Sequence, residues 1–229
     1  MKPIVWIDGI IGAGKTTISK EIAKNLNFRP LLEPVDSNPY LTEFYKDPKR
    51  WAFPMQIDLL LKRYSMHKLA NMEAMSDSSQ FNGVVLDRDL PGDRVFAKVA
   101  YLAGNISELE WQTYNRAFKY LTNNLAPPSL LVFLDVDPKI AKSRLEARKR
   151  ESEVGIPLEY FQKLYRGYLD VLTEIESGNT VWGRGVEIFK IGWNTDYLPT
   201  NEITGKIRKK FNLEINTKRQ LDLKKFLNE

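Results

Sequence analysis

The segment that most limits what this chain can fold into is residues 9–16, GIIGAGKT. It fits G-x-x-x-x-G-K-[ST] in full, and chance gives such a match in roughly one chain per hundred of this length. Its surroundings sharpen it. An apolar stretch, Pro3–Ile7, precedes it, and a helical pattern from Thr16 to Leu26 follows. Strand, glycine-rich turn and helix are what a phosphate cradle needs. The glycines let backbone N–H groups face an anion, and the helix adds the positive end of its dipole. Gly9, Ile10, Ile11, Gly12, Ala13, Gly14, Lys15, Thr16 and Thr17 are therefore the expected ATP-binding residues, with Lys15 reaching the β- and γ-phosphates and Thr16 offering a hydroxyl to Mg²⁺. A nucleoside triphosphate is the expected ligand.

Around this loop the chain alternates. Pro30–Glu33, Gly83–Asp87, Ser129–Asp135 and Val186–Ile191 join Pro3–Ile7 as apolar, strand-like runs without polar alternation. Helical stripes lie between them: Ile57, Leu60, Leu61 and Tyr64; Leu109, Tyr114, Phe118 and Leu121; Ile203, Ile207 and Phe211. The pattern predicts an α/β protein with a five-stranded parallel sheet flanked by helices. No repeat or Pro/Gly/Ser-rich linker divides the 229 residues, so one domain is expected over 1–213, followed by a basic tail over 214–229.

Composition matters mainly for what it excludes. There is no cysteine and one histidine, His67, which removes disulfides, thiolate nucleophiles and multi-histidine metal sites. No apolar run reaches the roughly 20 residues of a membrane span. Met1 to Gly9 runs straight into a strand-like segment, so no leader peptide is expected and a cytoplasmic protein is the simplest account. The net charge of +5 resides in residues 205–229, which hold eight Lys/Arg and three Asp/Glu. A solvated terminal helix explains that bias without nucleic acid, and the rest of the chain is balanced.

Four clusters suggest what the triphosphate is used for. Glu33-Pro34 ends the second strand-like run, and in open parallel sheets ligands sit beyond strand carboxyl ends. Glu33 can thus take a proton from an attacking hydroxyl, unless it is merely hydrogen-bonded structure. Asp87-Arg88 ends the third run: Asp87 suits Mg²⁺ held through water, and Arg88 suits the transferring phosphoryl charge. Asp135 competes for the metal, but Asp137-Pro138 reads as an N-cap and first-turn proline, and Asp135 is assigned to that turn. Arg144, Arg148 and Arg150 bring cations to a helix end and into a loop, an arginine-rich lid beside the phosphate loop. Residues 45–56 (YKDPKRWAFPMQ) offer Tyr45, Phe53 and Met55 as apolar walls, or as core, and Gln56 as paired donor and acceptor for a base edge.

At this point the sequence resembles the deoxynucleoside kinase family over nearly its whole length, from Gly9 to about Ile191. The resemblance rests on an ordered set: GxxxxGKT, EPV at 33–35, YxxPxRWxFxxQ at 45–56, DR at 87–88, the arginine lid and GIPLEY at 155–160. It implies a P-loop kinase fold and transfer of the ATP γ-phosphate to a deoxynucleoside 5′-hydroxyl. By position, Glu33 resembles the family's catalytic base and Arg88 the arginine that orients it. Tyr45 and Glu153 resemble the pair that holds the 3′-hydroxyl, and Gln56 the residue that reads the base. Arg144, Arg148 and Arg150 resemble the lid arginines. Arg63 and Asp93 resemble a pair found in members taking deoxycytidine or purine deoxynucleosides, and Asn38-Pro39-Tyr40 leans towards the purine-type bacterial members. Homodimers are common in the family, with Trp111, Tyr114 and Phe118 as candidates for the face, or for core.

There are departures. Asp89-Leu-Pro-Gly follows DR where the family usually has serine, and Ala97 stands where a phenylalanine is expected, with Phe96 beside it. Two alternatives remain. A thymidylate kinase would need a cation near Glu33 for the acceptor phosphate, whereas Val35-Asp36-Ser37-Asn38 supplies none. A catalytically silent structural subunit would be expected to have lost Lys15, Glu33 or Arg88.

Overall fold

The computed structural model describes residues 1–32, 38–148, 155–178, 185–195 and 197–213. Glu33, Arg150, Glu153 and the tail from 214 lie outside them. Five parallel strands form one sheet: β1 (Ile4–Asp8), β2 (Phe28–Leu31), β3 (Gly83–Asp87), β4 (Leu130–Asp135) and β5 (Ile188–Gly192), ordered β2-β3-β1-β4-β5. Every residue of β1 and β3 is buried, which explains why these runs are continuously apolar rather than alternating. β1 pairs with β3 on one side (Ile7 opposite Asp87) and with β4 on the other (Asp8 opposite Phe133). Chain order therefore reverses direction across β1, and the crevice beyond its carboxyl end is where a ligand belongs.

Helices cover the sheet. α1 (Lys15–Leu26) packs with α8 (Thr200–Phe211) and against β1–β3. A second layer joins α3 (Pro48–Met75), α4 (Leu90–Leu102) and α7 (Leu158–Glu176), with α5 (Glu108–Thr122) against α3 and α4, and α6 (Pro138–Ala147) against α7. The short α2 (Leu41–Lys46) leads into α3. Local chemistry sets several boundaries. Asp47 accepts from the Arg50 N–H and Pro48 opens α3; Ser107 and Glu110 form a reciprocal capping box on α5. Such caps contribute about 1 kcal/mol each.

Three sequence readings need correction. β2 spans Phe28–Leu31, not Pro30–Glu33, because its ladder with β3 starts at Phe28 opposite Gly83 and ends at Leu31 opposite Leu86. Asp135 is the last residue of β4 rather than part of the turn that follows. It pairs in register with Gly192, accepts from the Tyr165 hydroxyl at 2.7 Å and faces Lys190 at 3.2 Å. The expected cap does form one step later, where Asp137 accepts from the Lys139 N–H at 2.7 Å. Finally, Leu61 and Leu109 belong to helical stripes but are 50% and 76% exposed, whereas Leu60 and Tyr114 are fully buried. Among the described residues no helix is long and apolar enough to cross a membrane.

Candidate active site

The carboxyl ends of β1 and β3 open into a cleft of about 580 Å³. The phosphate loop forms one end. Gly12 and Gly14 have φ of 81° and 88°, and a side chain on Gly12 would lie 2.2 Å from the Ala141 carbonyl oxygen of α6. The loop is thus laid flat between the sheet and α6, which only glycine permits. Gly14 caps α1, so the helix's first N–H groups face the cleft. Lys15, 6% exposed, donates to the Gly9 and Ile10 carbonyls, each at 2.9 Å. Thr16 donates its hydroxyl to Asp87, the last residue of β3. A hydroxyl and a carboxylate side by side are the hard oxygen donors that Mg²⁺ takes together with phosphate oxygens and water. Among the described residues no group of three or more His, Asp or Glu is placed to hold a metal ion.

Arg88 follows directly and carries a φ of 76°, a left-handed conformation that costs a non-glycine residue about 1–2 kcal/mol. Its N–H still donates to Ile7 at 3.0 Å, so the sheet ladder fixes the strained backbone. Its guanidinium donates to the Tyr168 hydroxyl at 2.7 Å and lies 4.6 Å from the Phe96 ring centre. Strain maintained at a cleft-lining cation is a mark of function. Behind it, Asp8 and Asp89 are both buried carboxylates. Desolvation first, then the Asp8 charge, pushes Asp89 well above the usual carboxylate range, while its side chain still caps α4 through the Gly92 N–H.

The other end is walled by α3 and α4. Met55 and Gln56, 5% and 3% exposed, line the cleft, and the Gln56 Oε1 is buried with no hydrogen-bond partner among the described residues. Leaving a buried acceptor unmet costs about 1–3 kcal/mol, which a ligand N–H would recover. Two helical turns further, Arg63 forms an ion pair with the fully buried Asp93 of α4, and Tyr114 of α5 donates its hydroxyl to the same carboxylate. His67 sits behind Arg63, with its ring edge-on to Trp6 at 4.9 Å. Burial, then the Arg63 charge, lowers its pKa to about 3, so it is a neutral packing residue. Tyr45 lines the same end and is 40% exposed; Arg144 and Arg148 of the α6 end reach the cleft from the phosphate side.

The structure thus gathers Lys15, Thr16, Asp87, Arg88, Tyr45, Met55, Gln56, Arg63, Arg144 and Arg148 around one cleft, with Asp93 directly behind Arg63. Asp135 stands apart, engaged with Tyr165 and Lys190. Glu33, Arg150 and Glu153 fall outside the described residues. Sequence reasoning missed Tyr160, Tyr168 and Trp193. Tyr160 lies in the quoted GIPLEY stretch and lines the cleft, and Trp193 follows the last strand, where a strand-end rule would have flagged it. Tyr168 carried no local signal. Phe96, not Ala97, faces the cleft; Ala97 is fully buried. Of the suggested interface residues, Tyr114 is core, stacked between Trp111 at 5.7 Å and Phe118 at 6.2 Å.

The comparisons with known proteins agree with this geometry. A deoxynucleoside kinase family model matches residues 5–212. Deoxyadenosine kinase of Dictyostelium discoideum is 35% identical over 190 residues, covering 83% of this chain and 72% of that protein. Deoxyadenosine/deoxycytidine kinase of Bacillus subtilis (strain 168) is 34% identical over 168 residues, covering 72% and 74%. Among solved structures, deoxyadenosine kinase from M. mycoides with bound dATP superposes with a TM-score of 0.75 at 29% identity, over 90% of this chain and 99% of that one. The same enzyme with bound dCTP gives 0.72 at 28% identity, again over 90% and 99%. A glycine loop laid against α6, a strained arginine beside it and a buried Arg–Asp pair across the cleft are here joined by a match over nearly the entire length, and the chain belongs to the deoxynucleoside kinase family.

Proposed function

We propose that this kinase transfers the γ-phosphate of Mg-ATP to the 5′-hydroxyl of deoxyadenosine, deoxyguanosine or deoxycytidine. The observation that carries the choice of base is the buried Arg63–Asp93 pair beside the unmet Gln56 carbonyl. An amino group on adenine or cytosine donates to such an acceptor, and the carboxamide can turn its N–H₂ towards the guanine carbonyl. The purine-type relatives favour deoxyadenosine and deoxyguanosine.

In this reading Gly9–Thr17 hold the triphosphate. Glu33 accepts the 5′-hydroxyl proton, and Tyr45 with Glu153 holds the 3′-hydroxyl. Lys15, Arg88, Arg144, Arg148 and Arg150 offset the charge that develops on the phosphoryl oxygens. Thr16 and Asp87 would hold Mg²⁺, which supplies charge neutralisation across the phosphates when bound. Catalysis is then mostly positioning and electrostatics in a partly closed cleft. Residues 1–213 form the kinase domain and 214–229 a basic tail. A homodimer through the outer face of α3 suits Leu61, Leu69 and Met72, which are 50%, 46% and 65% exposed, better than the buried Tyr114. A cytoplasmic setting suits an ATP-dependent salvage reaction, and neither membrane nor nucleic acid is needed.

Thymidylate kinase activity is disfavoured because Val35-Asp36-Ser37-Asn38, next after Glu33-Pro34 in sequence, supplies no cation for an acceptor phosphate. The test is purified protein with Mg-ATP and, separately, the four deoxynucleosides and thymidylate. Transfer to deoxyadenosine, deoxyguanosine or deoxycytidine supports the reading. Transfer to thymidylate alone overturns it, and no transfer at all would favour a silent subunit.

A further inference from the structure

Trp193 is the first residue after β5, and its N–H extends the ladder by donating to Asp135 at 3.1 Å. It is 8% exposed and lines the phosphate end of the cleft. Its six-membered ring lies against the last glycine of the phosphate loop. A side-chain carbon on Gly14 would fall 2.3 Å from Cζ3 and 2.5 Å from Cη2. The Arg144 guanidinium lies 4.6 Å from the indole centre, and the same arginine donates to the Thr195 carbonyl at 2.9 Å. One short segment after β5 therefore holds both the loop and the arginine, and the arginine stays on its ring through attraction of the cation to the ring quadrupole. The indole Nε1 is buried and has no hydrogen-bond partner among the described residues, so the ring acts by its surface alone.

We propose that Trp193 is a positioning residue for phosphate transfer: it braces Gly14 and fixes Arg144 over the phosphate loop before ATP arrives. The inference rests on the kinase reading above. Arg144 is held in advance, by its guanidinium face on the Trp193 ring and by an N–H on the Thr195 carbonyl. An arginine held in place loses less freedom when it meets the triphosphate, and that gain appears in ATP usage rather than in deoxynucleoside affinity.

The experiment compares Trp193→Ala, Trp193→Leu and Trp193→Phe, each also in an Arg144→Ala background. Readouts are steady-state kinetics for both substrates and calorimetric affinity for Mg²⁺ with a non-hydrolysable ATP analogue. Leu fills the space without a π face, and Phe keeps a π face while removing an N–H that has no hydrogen-bond partner among the described residues. Ala and Leu should lower kcat/KM for ATP roughly 5- to 30-fold, with the deoxynucleoside KM within about twofold; Phe should recover to within about threefold. In the Arg144→Ala background the further loss should be under about twofold, since the two residues act as one unit. Equal losses in both backgrounds, a Phe variant as poor as Ala, or parallel shifts in both KM values would overturn the proposal and leave the kinase reading intact. If the wild type phosphorylates no deoxynucleoside, the kinase reading fails instead, and the coupling is still read from the calorimetric affinities.

Discussion

At the phosphate end of the cleft the recognition surface is main chain. Glycines at positive φ, the first N–H groups of α1 and two loop carbonyls bonded to Lys15 do most of the shaping. At the end proposed for the base it is side chain: Gln56 and Arg63 of α3 line the cleft, backed by Asp93 of α4 and Tyr114 of α5, all nine-tenths or more buried. Main chain cannot be altered by most substitutions, so the first end is fixed in what it binds. The second can be retuned one residue at a time, at the cost of burying an ion pair. The relatives described above are named for different acceptor bases, a variation that side chains can follow more readily than main chain.

The contrast is open to measurement. The largest effect is expected at the proposed proton acceptor: Glu33→Gln should lower turnover roughly 10²- to 10⁴-fold while Mg-ATP still binds, as read by calorimetry beside kinetics. A rate near wild type would remove Glu33 from the proton-accepting role. Next, Asp93→Ala leaves Arg63 buried without its carboxylate and should cost about 3–5 kcal/mol in denaturant unfolding. The surviving enzyme should accept thymidine better relative to deoxyadenosine, and an unchanged ratio would mean that the base end is not tuned by this pair.

Third comes a pH effect confined to the base end. The His67 pKa is about 3 in the folded protein against 6.5 for the free side chain. Between those values the unfolded chain binds a proton that the native state refuses, so stability falls as pH drops below about 6.5. The loss from this group is about 2 kcal/mol at pH 5. His67→Gln should remove that share of the acid sensitivity, measured as unfolding free energy at pH 7 and 5. The smallest effect tests a second side-chain brace at the phosphate end, Tyr168 on Arg88. Tyr168→Phe deletes the acceptor for Arg88 and should lower kcat about five- to tenfold, roughly 1 kcal/mol, with little change in deoxynucleoside KM.

How much of this was legible in the sequence follows the same divide. The phosphate loop could be read because backbone conformation at fixed spacing demands glycine, and β1, β3 and β4 because strands buried on both faces must be apolar. Asp87-Arg88 could be read as a strand end. The base end was legible only through resemblance. α3 runs 28 residues and buries Gln56, Arg63 and His67, so polar residues interrupt the stripe that would mark its inner face. Tyr168 and Trp193 were missed because each acts on a residue distant in sequence, Arg88 and Arg144, and no local spacing encodes such a meeting. Asp135 was misplaced for a related reason: its partners, Tyr165 and Lys190, lie 30 and more residues away.

Lys15 bonds two carbonyl oxygens of the phosphate loop itself. A neutral fragment entering there shares the ammonium with groups that are part of the loop itself, whereas a multiply charged anion gains charge-assisted bonds from it. Inhibitor searches on this enzyme should therefore start from uncharged compounds with an N–H aimed at Gln56, and leave the glycine loop to molecules that carry a polyphosphate or its mimic.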